Sequence, residues 1–284
     1  QFQQIEWDNC LIDDCRQLIR LAVREDLDRT FDITSLSLVA PGDTARAAVV
    51  AREAGTVAGL PVVELVLEEM NVSCGQATHV HDGDCVSAGT TLATLEGPAR
   101  DLLTAERTIL NFVGRLCGIA SLTNQYVAAA GGTKAQVYDT RKTTPGWRRL
   151  EKYAVTCGGG KNHRTGLYDA VLIKDNHLAL GEEIESVLRR TRESAGHMLV
   201  IEIECDTLSQ LHKILQADQD MMETDPRGRG VDVVLLDNMT YAQLGEAVTM
   251  VQAHPRTILT EASGGIRPEN LRQVAATGVD FVSM

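Results

Sequence analysis

A chain of 284 residues that is 44% hydrophobic can bury one large core or two smaller ones, yet holds no apolar run near the ~18 residues of a membrane span. A formal charge of -12 argues against a broad nucleic-acid-binding face, and the N-terminal "QFQQIEWDNCLIDDCRQ" lacks the basic-then-apolar order of a signal peptide. Seven scattered cysteines without a CxxC pair point away from a disulfide or zinc framework and toward a reducing cytoplasm.

Residues 9–25 place Leu11, Ile12, Cys15, Leu18, Ile19 and Ala22 at helical spacing. "DTARAAVVAREAGTVAGL" (43–60) alternates small and β-branched residues as a strand pair would, and "HVHDGDCVSAGTTLATLEG" (79–97) has the frequent turn residues of short strands. Residues 101–130 predict a long, mostly buried helix. One of its faces carries Leu103, Arg107, Leu110, Asn111 and Gly114, a charge on an otherwise apolar or small-residue stripe.

From about residue 135 the pattern becomes regular. Strands are expected in "AQVYD", "AVLIKD", "LVIEIE", "VDVVLLDN", "TILTEASGG" and "VDFVSM", with helices over 147–157, 182–195, 207–217, 240–253 and 268–277. Such alternation implies right-handed βαβ units and a parallel sheet, either barrel-like or doubly wound. The polar "QADQDMMETDPRGRG" (216–230) reads as an exposed loop.

Each strand but the last delivers polar groups at its C-terminal end: Asp139–Lys142, Lys174–Asn176, Glu202 and Glu204, Asp237–Asn238, and Glu261–Gly265. That is the ligand-binding face of parallel α/β folds. Residues 141–174 also gather eight Lys or Arg against two acids, Glu151 and Asp169, in an acidic protein. Arg141, Lys142, Arg164 and Lys174 therefore suggest an electropositive pocket for carboxylate or phosphate. "CGGGKNHR" suits backbone contact with an anion, or is a plain flexible loop. "EASGGI" before a helix at Pro268 is the better phosphate candidate. Glu204 and Asp237 could hold Mg²⁺, or pair with local cations. His163 is either a hydrogen-bond donor to an anion or a loop histidine. Arg107 could simply lay its stem on apolar surface, and Cys157 reads as a packed thiol.

The motifs "AERTILNFVGRLCGIAS", "DTRKTTPG", "GGGKNHRTGLYDAVLIKDNH", "IEIE", "VVLLDN" and "EASGGI" resemble the quinolinate phosphoribosyltransferases, over nearly the whole chain. The resemblance implies an N-terminal α/β sandwich-like domain (1–115) and an incomplete (β/α) barrel of about six parallel strands (116–284). It implies transfer of phosphoribose from 5-phosphoribosyl 1-pyrophosphate to quinolinate with decarboxylation, a step of NAD biosynthesis, with Mg²⁺ as cofactor. It also implies a cytoplasmic homodimer with shared active sites, or a higher oligomer, and neither nucleic-acid nor membrane partners. Another type II phosphoribosyltransferase, such as a nicotinate-specific one, or a non-catalytic anion-binding homologue are the alternative readings.

The resemblance also assigns residues. Substrate binding falls on Arg107 (reaching the neighbouring subunit), Arg141, Lys142, Thr143, His163, Arg164 and Lys174. Glu204 and Asp237 lie near the ribose hydroxyls and metal, and Ser263, Gly264 and Gly265 form part of the phosphate loop. Lys142, Lys174, Glu204 and Asp237 are the catalytic set. Two departures stand out: residues 218–230 make a longer loop than the family pattern, and a phosphate-site glycine of that pattern would follow Met284.

Overall fold

The structure is a computed structural model, and it describes residues 2–174, 183–195, 199–224 and 230–284. Packing divides the chain into two units: Ile5–Asn124 with Lys142–Gly160, and Gln125–Arg141 with Lys161–Met284 and Gln1–Gln4. The expected boundary at 115/116 falls inside a continuous helix, Ala99–Ala130, and residues 142–160 pack with the first unit because Leu150 and Ala154 are buried in its core.

In the first unit, helix α1 (Asn9–Leu27) starts where the Asp8 carboxylate accepts the Leu11 N–H at 2.8 Å, and it buries Leu11, Cys15 and Ile19. Helix α2 (Ile33–Leu38) is capped in the same way by Asp32. Strands β1 (Thr44–Val50), β3 (Gly75–Thr78) and β5 (Thr91–Pro98) form an antiparallel sheet in the order β1-β5-β3. The short β2 (Gly55–Thr56) pairs instead with β4 (Cys85–Val86). The expected strand pair at 43–60 is thus corrected: β1 and β2 belong to different sheets. The residues between them, "AREA", offer none of the Gly or Asn turn chemistry that closes a tight hairpin.

Helix α3 (Pro61–Glu69) and the long α4 (Ala99–Ala130) complete this core, around Val66, Leu95, Phe112 and Leu116. Helix α4 is buried through Leu102, Ala105, Ile109, Phe112 and Val113. The stripe singled out from sequence is its outer face, with Leu103, Arg107, Asn111 and Gly114 exposed and Leu110 half-buried. Helix α5 (Arg148–Cys157) also belongs to this unit.

The second unit alternates strand and helix: β6 (Gln136–Tyr138), β7 (Ala170–Ile173), α6 (Ile184–Ala195), β8 (Val200–Cys205), α7 (Leu208–Thr224), β9 (Val233–Asp237), α8 (Tyr241–Gln252), β10 (Leu259–Ser263), α9 (Pro268–Ala276) and β11 (Phe281–Ser283). The six strands are parallel, in the order β6-β11-β10-β9-β8-β7, as the sequence pattern requires. Alternation along each strand sorts the side chains. Val137, Ile201, Ile203, Val234, Leu236, Ala262 and Val282 join the helices in the main core. Phe2, Tyr138, Ala170, Val233 and Phe281 form a second, inner cluster. The residues in phase with that inner set are Glu202, Glu204, Asp237, Glu261, Ser263 and Ser283.

The expected loop at 216–230 is corrected in its first part. Helix α7 runs on through Thr224, because Ala217, Asp218 and Met221 keep helical spacing and are buried. Polarity misled the reading: Asp218 is buried, and its Oδ1 accepts the Val231 N–H at 2.7 Å. Residues 225–229, and the second expected strand's Asp175 and Asn176, lie outside the described residues.

Candidate active site

Beyond β6 the chain reaches Asp139, and a parallel bridge between Tyr138 and Lys161 lays a further stretch, Lys161–Arg164, alongside it. This stretch has little backbone pairing of its own, so side chains order it. The Asn162 N–H donates to Gln4 (2.9 Å), His163 N–H to Asp139 (2.8 Å), and Arg164 N–H to His163 Nδ1 (2.8 Å). Thr165 N–H and Gly166 N–H both donate to Asp169, at 2.7 and 2.9 Å. Five successive backbone donors are therefore satisfied by side chains.

The product of this ordering is the placement of Arg164. Only 8% of it is exposed, and among the described residues its guanidinium makes one long contact, 3.4 Å to the Ala170 carbonyl. Its charged neighbours are the Arg141 cation and, with smaller effect, the Glu202 and Asp169 carboxylates. Burial and then the Arg141 charge pull the Arg164 guanidinium below its ordinary value. Burying one guanidinium beside another, with no carboxylate paired to it, is costly unless an anion joins them.

Behind Arg164 sits a mixed cluster. His163 Nε2 lies 2.8 Å from Glu202 and 3.3 Å from Glu261, and all three side chains are buried. Ser283 donates its hydroxyl to the other Glu261 oxygen. Burial and then the Glu261 charge push the Glu202 carboxyl up to about 8. Burial pulls His163 down, but the two glutamates outweigh it and raise it to about 9. Two carboxylates this close do not both ionise, so the cluster retains a proton at neutral pH. The three groups could in principle ligate a metal. However, Nε2 could offer a metal its lone pair only if the ring's hydrogen moved to Nδ1, the atom that accepts the Arg164 N–H.

At the strand ends, Lys174 faces Glu204 at 3.7 Å, with both side chains partly exposed. Asp237 is half-buried and accepts from Asn238 at 2.7 Å. Two carboxylates on adjacent strands, partly open to water, suit a hard, partly hydrated cation such as Mg²⁺. Next to them Ser263 leads into Gly264 (φ +94°) and Gly265 (φ +63°). A Cβ on Gly264 would lie 2.2 Å from the Asn238 side chain, so only glycine fits. Asn270 holds this turn, donating to the Gly265 carbonyl (3.0 Å) and accepting the Arg267 N–H (2.8 Å). Ser263, Gly264, Thr240 and Asn270 border a cleft of about 380 Å³.

Lys142, Thr143 and Arg107 belong to the other packing unit. There Lys142 is exposed, and Thr143 accepts from Arg148 Nε at 3.0 Å. Arg107 is exposed on α4 with no ion pair among the described residues.

Two family models cover the chain: the quinolinate phosphoribosyl transferase N-terminal domain over residues 32–117 and the C-terminal domain over 119–284. The chain belongs to the quinolinate phosphoribosyltransferase family. It is 41% identical to the carboxylating nicotinate-nucleotide pyrophosphorylase of Mycobacterium leprae, over 97% of this chain and 93% of that one. It is 38% identical to a probable enzyme of the same name from Bacillus subtilis, over 95% and 87%. Among solved structures, the nicotinate-nucleotide pyrophosphorylase of Francisella tularensis matches with a TM-score of 0.88 at 32% identity, covering 100% of this chain and 94% of that one.

For this member of the quinolinate phosphoribosyltransferase family, the structure brings together Arg141 with Arg164, Lys174 with Glu204, and Asp237 with the Ser263–Gly265 turn through Asn238. It turns His163 to Glu202 and Glu261 instead of to an open anion pocket. Sequence reading noted Asp139 and both glutamates at strand ends but gave them no role, and it missed Gln4 and Phe2. Period-2 alternation within "LVIEIE" was the available signal for Glu202. Phe2 and Gln4 had none, because they stand far from the motif they support.

Proposed function

We propose that this chain transfers the phosphoribosyl group of 5-phosphoribosyl 1-pyrophosphate to quinolinate, releasing pyrophosphate and carbon dioxide and leaving nicotinate mononucleotide. The observation that carries the reading is the Arg141–Arg164 pair. A planar aromatic dicarboxylate would suit the buried Arg164 beside Arg141, because guanidinium forks match carboxylates in the plane. Lys174 adds mobile positive charge at the strand ends of the same unit.

The pyridine nitrogen attacks the anomeric carbon as pyrophosphate leaves, and the ring then sheds the carboxylate beside that nitrogen. Neither step needs a protein nucleophile, so positioning and charge stabilisation carry the rate. Ser263, Gly264 and Gly265 suit a phosphate, whereas Glu204 and Asp237 suit ribose hydroxyls and Mg²⁺. When bound, Mg²⁺ would neutralise charge on the pyrophosphate. The decisive assay measures carbon dioxide and pyrophosphate from quinolinate. Nicotinate has no second carboxylate to lose, so turnover of nicotinate without carbon dioxide release would point to a different transferase, and no pyrophosphate from either base to a non-catalytic homologue.

The same reading includes a homodimer with shared sites. Leu21, Phe31, Ile33, Leu38 and Leu103 are 49–80% exposed in the unit that also exposes Arg107, which is more apolar surface than scattered residues account for. Arg107 would reach the dicarboxylate of a second copy, and Thr143 would complete the motif begun by Arg141 and Lys142. Mixing inactive Arg107→Ala with inactive Lys174→Ala tests this. Random exchange makes half the dimers mixed, each with one intact site, so about a quarter of all sites recover. Demonstrated exchange without recovery would refute sharing. The seven free thiols fit a reducing cytoplasm.

A further inference from the structure

Residues 2–4 pack with the barrel unit, and their side chains alternate as in an extended chain: Phe2 is buried, Gln3 exposed and Gln4 half-buried. The Gln4 amide is fully committed. Its oxygen accepts the Asn162 N–H at 2.9 Å, and its nitrogen donates to the Asn162 and Phe2 carbonyls, each at 3.1 Å. A side-chain amide has two hydrogens and one carbonyl, so every group is used. The flipped amide would set N–H against N–H and oxygen against two carbonyls.

Gln4 thereby gives Asn162 the pair of bonds that a neighbouring strand gives a residue in a ladder. Asn162 is fully buried, so losing that pair would leave a backbone N–H and carbonyl away from water, which is costly. Phe2 supports the same stretch. Its ring lies 4.0 Å from that of His163, tilted by 32°, and meets Tyr138 edge-on at 6.1 Å.

The stretch held in this way leads directly into His163 and Arg164, both assigned to substrate binding by the family resemblance. The Arg164 guanidinium makes one hydrogen bond among the described residues, at 3.4 Å to the Ala170 carbonyl. With so little to hold its own end, it takes its position from its backbone. A shift at Asn162 is carried into it, and a displacement of about 1 Å is enough to impair a positioned contact.

We propose that Gln4 is a positioning residue for the dicarboxylate site, with Phe2 as its support: together they hold the backbone from which Arg164 reaches the substrate. The proposal rests on the reading of Arg164 as a dicarboxylate ligand.

Steady-state kinetics of the full chain test it. Gln4→Met keeps the length of the side chain and removes all three hydrogen bonds, and Gln3→Met is the neighbouring control. The expected result for Gln4→Met is a quinolinate KM raised about five- to tenfold, with the phosphoribosyl-pyrophosphate KM within about twofold. Gln3→Met should leave both unchanged. Hydrogen exchange at the Asn162 amide should be about tenfold faster or more in Gln4→Met than in the parent. Gln4→Glu is the milder second variant: ionised, it still accepts the Asn162 N–H but no longer donates to the carbonyl, so the same split should appear at about two- to fourfold.

Equal rises in both KM values, or a lowered melting temperature with an unchanged quinolinate KM, would reduce Gln4 to a structural residue and overturn the proposal. Arg164→Leu separates the two readings. A normal quinolinate KM there would sink the ligand reading of Arg164. A raised KM there, with a normal one in folded Gln4→Met, would sink the positioning role alone.

Discussion

Two arginines in the barrel unit are buried to almost the same degree, Arg192 at 6% and Arg164 at 8% exposure, and their surroundings are opposite. Arg192 donates to Asp232 at 2.9 Å, to the Leu199 carbonyl at 2.9 Å and to the Gly230 carbonyl. Asp232 in turn accepts the Ile201 N–H at 2.9 Å. The fold completes that charge by itself. Among the described residues Arg164 has one hydrogen bond, at 3.4 Å, and no ion pair, and the Arg141 charge outweighs those of Glu202 and Asp169. Equal burial thus separates an arginine that holds two strands together from one kept ready for something outside the chain, and burial alone does not tell them apart.

The largest expected effect lies on the structural side of this contrast. Arg192→Met removes the buried cation that faces the part-buried Asp232 and should cost about 3–5 kcal/mol of stability, read from chemical unfolding. A loss below about 1 kcal/mol would mean that Asp232 finds another partner or water, and that the two arginines are less different than they look.

Arg164→Leu should do the reverse. Removing a buried cation whose burial and Arg141 neighbour outweigh the nearby carboxylates leaves stability equal or higher, while quinolinate binding weakens by about 1.5–3 kcal/mol, or roughly tenfold to a hundredfold. Lys174→Ala comes next, at the low end of the same range, because Lys174 is half exposed and already faces Glu204. Near-normal steady-state turnover in a folded Lys174→Ala protein would take it out of the site.

Asp280 sets the lower bound on what a completed charge contributes. Burial would raise its carboxyl, but hydrogen bonds from Lys134 (2.7 Å) and Thr260 outweigh burial and hold it below its ordinary value. A depressed folded-state value stabilises above the unfolded value of about 3.9 and loses that stabilisation as pH falls through the folded one. Asp280→Asn should therefore be less stable by about 0.5–1 kcal/mol at neutral pH, since Lys134 is half exposed and water screens the pair. The gap to the parent protein should close in acid melts. A gap that widens in acid would reverse the sign.

Most of the barrel was legible because parallel strands buried on both faces read as apolar runs, and "VDVVLLDN" or "AVLI" has few other interpretations. The order and spacing of strand ends also marked Arg141, Lys174, Glu204 and Asp237 as candidates for one face. What escaped was long-range or compensated. The pairing of β1 with β5 depends on contacts far apart in sequence. Asp218 made a helix look like a loop because its burial is offset by Val231 N–H, which no local pattern encodes. Phe2 and Gln4 support His163 and Asn162 from the opposite end of the chain.

The central claim is that Arg164 is kept buried, with no ion pair among the described residues, in order to meet the dicarboxylate. Calorimetric titration of quinolinate into the parent protein and into Arg164→Leu, with a thermal melt of each, tests it most directly. The account predicts binding weakened about tenfold or more in the variant, with a melting temperature equal to or above the parent's. Undiminished binding, or a melting temperature that falls as it should for Arg192→Met, would contradict it.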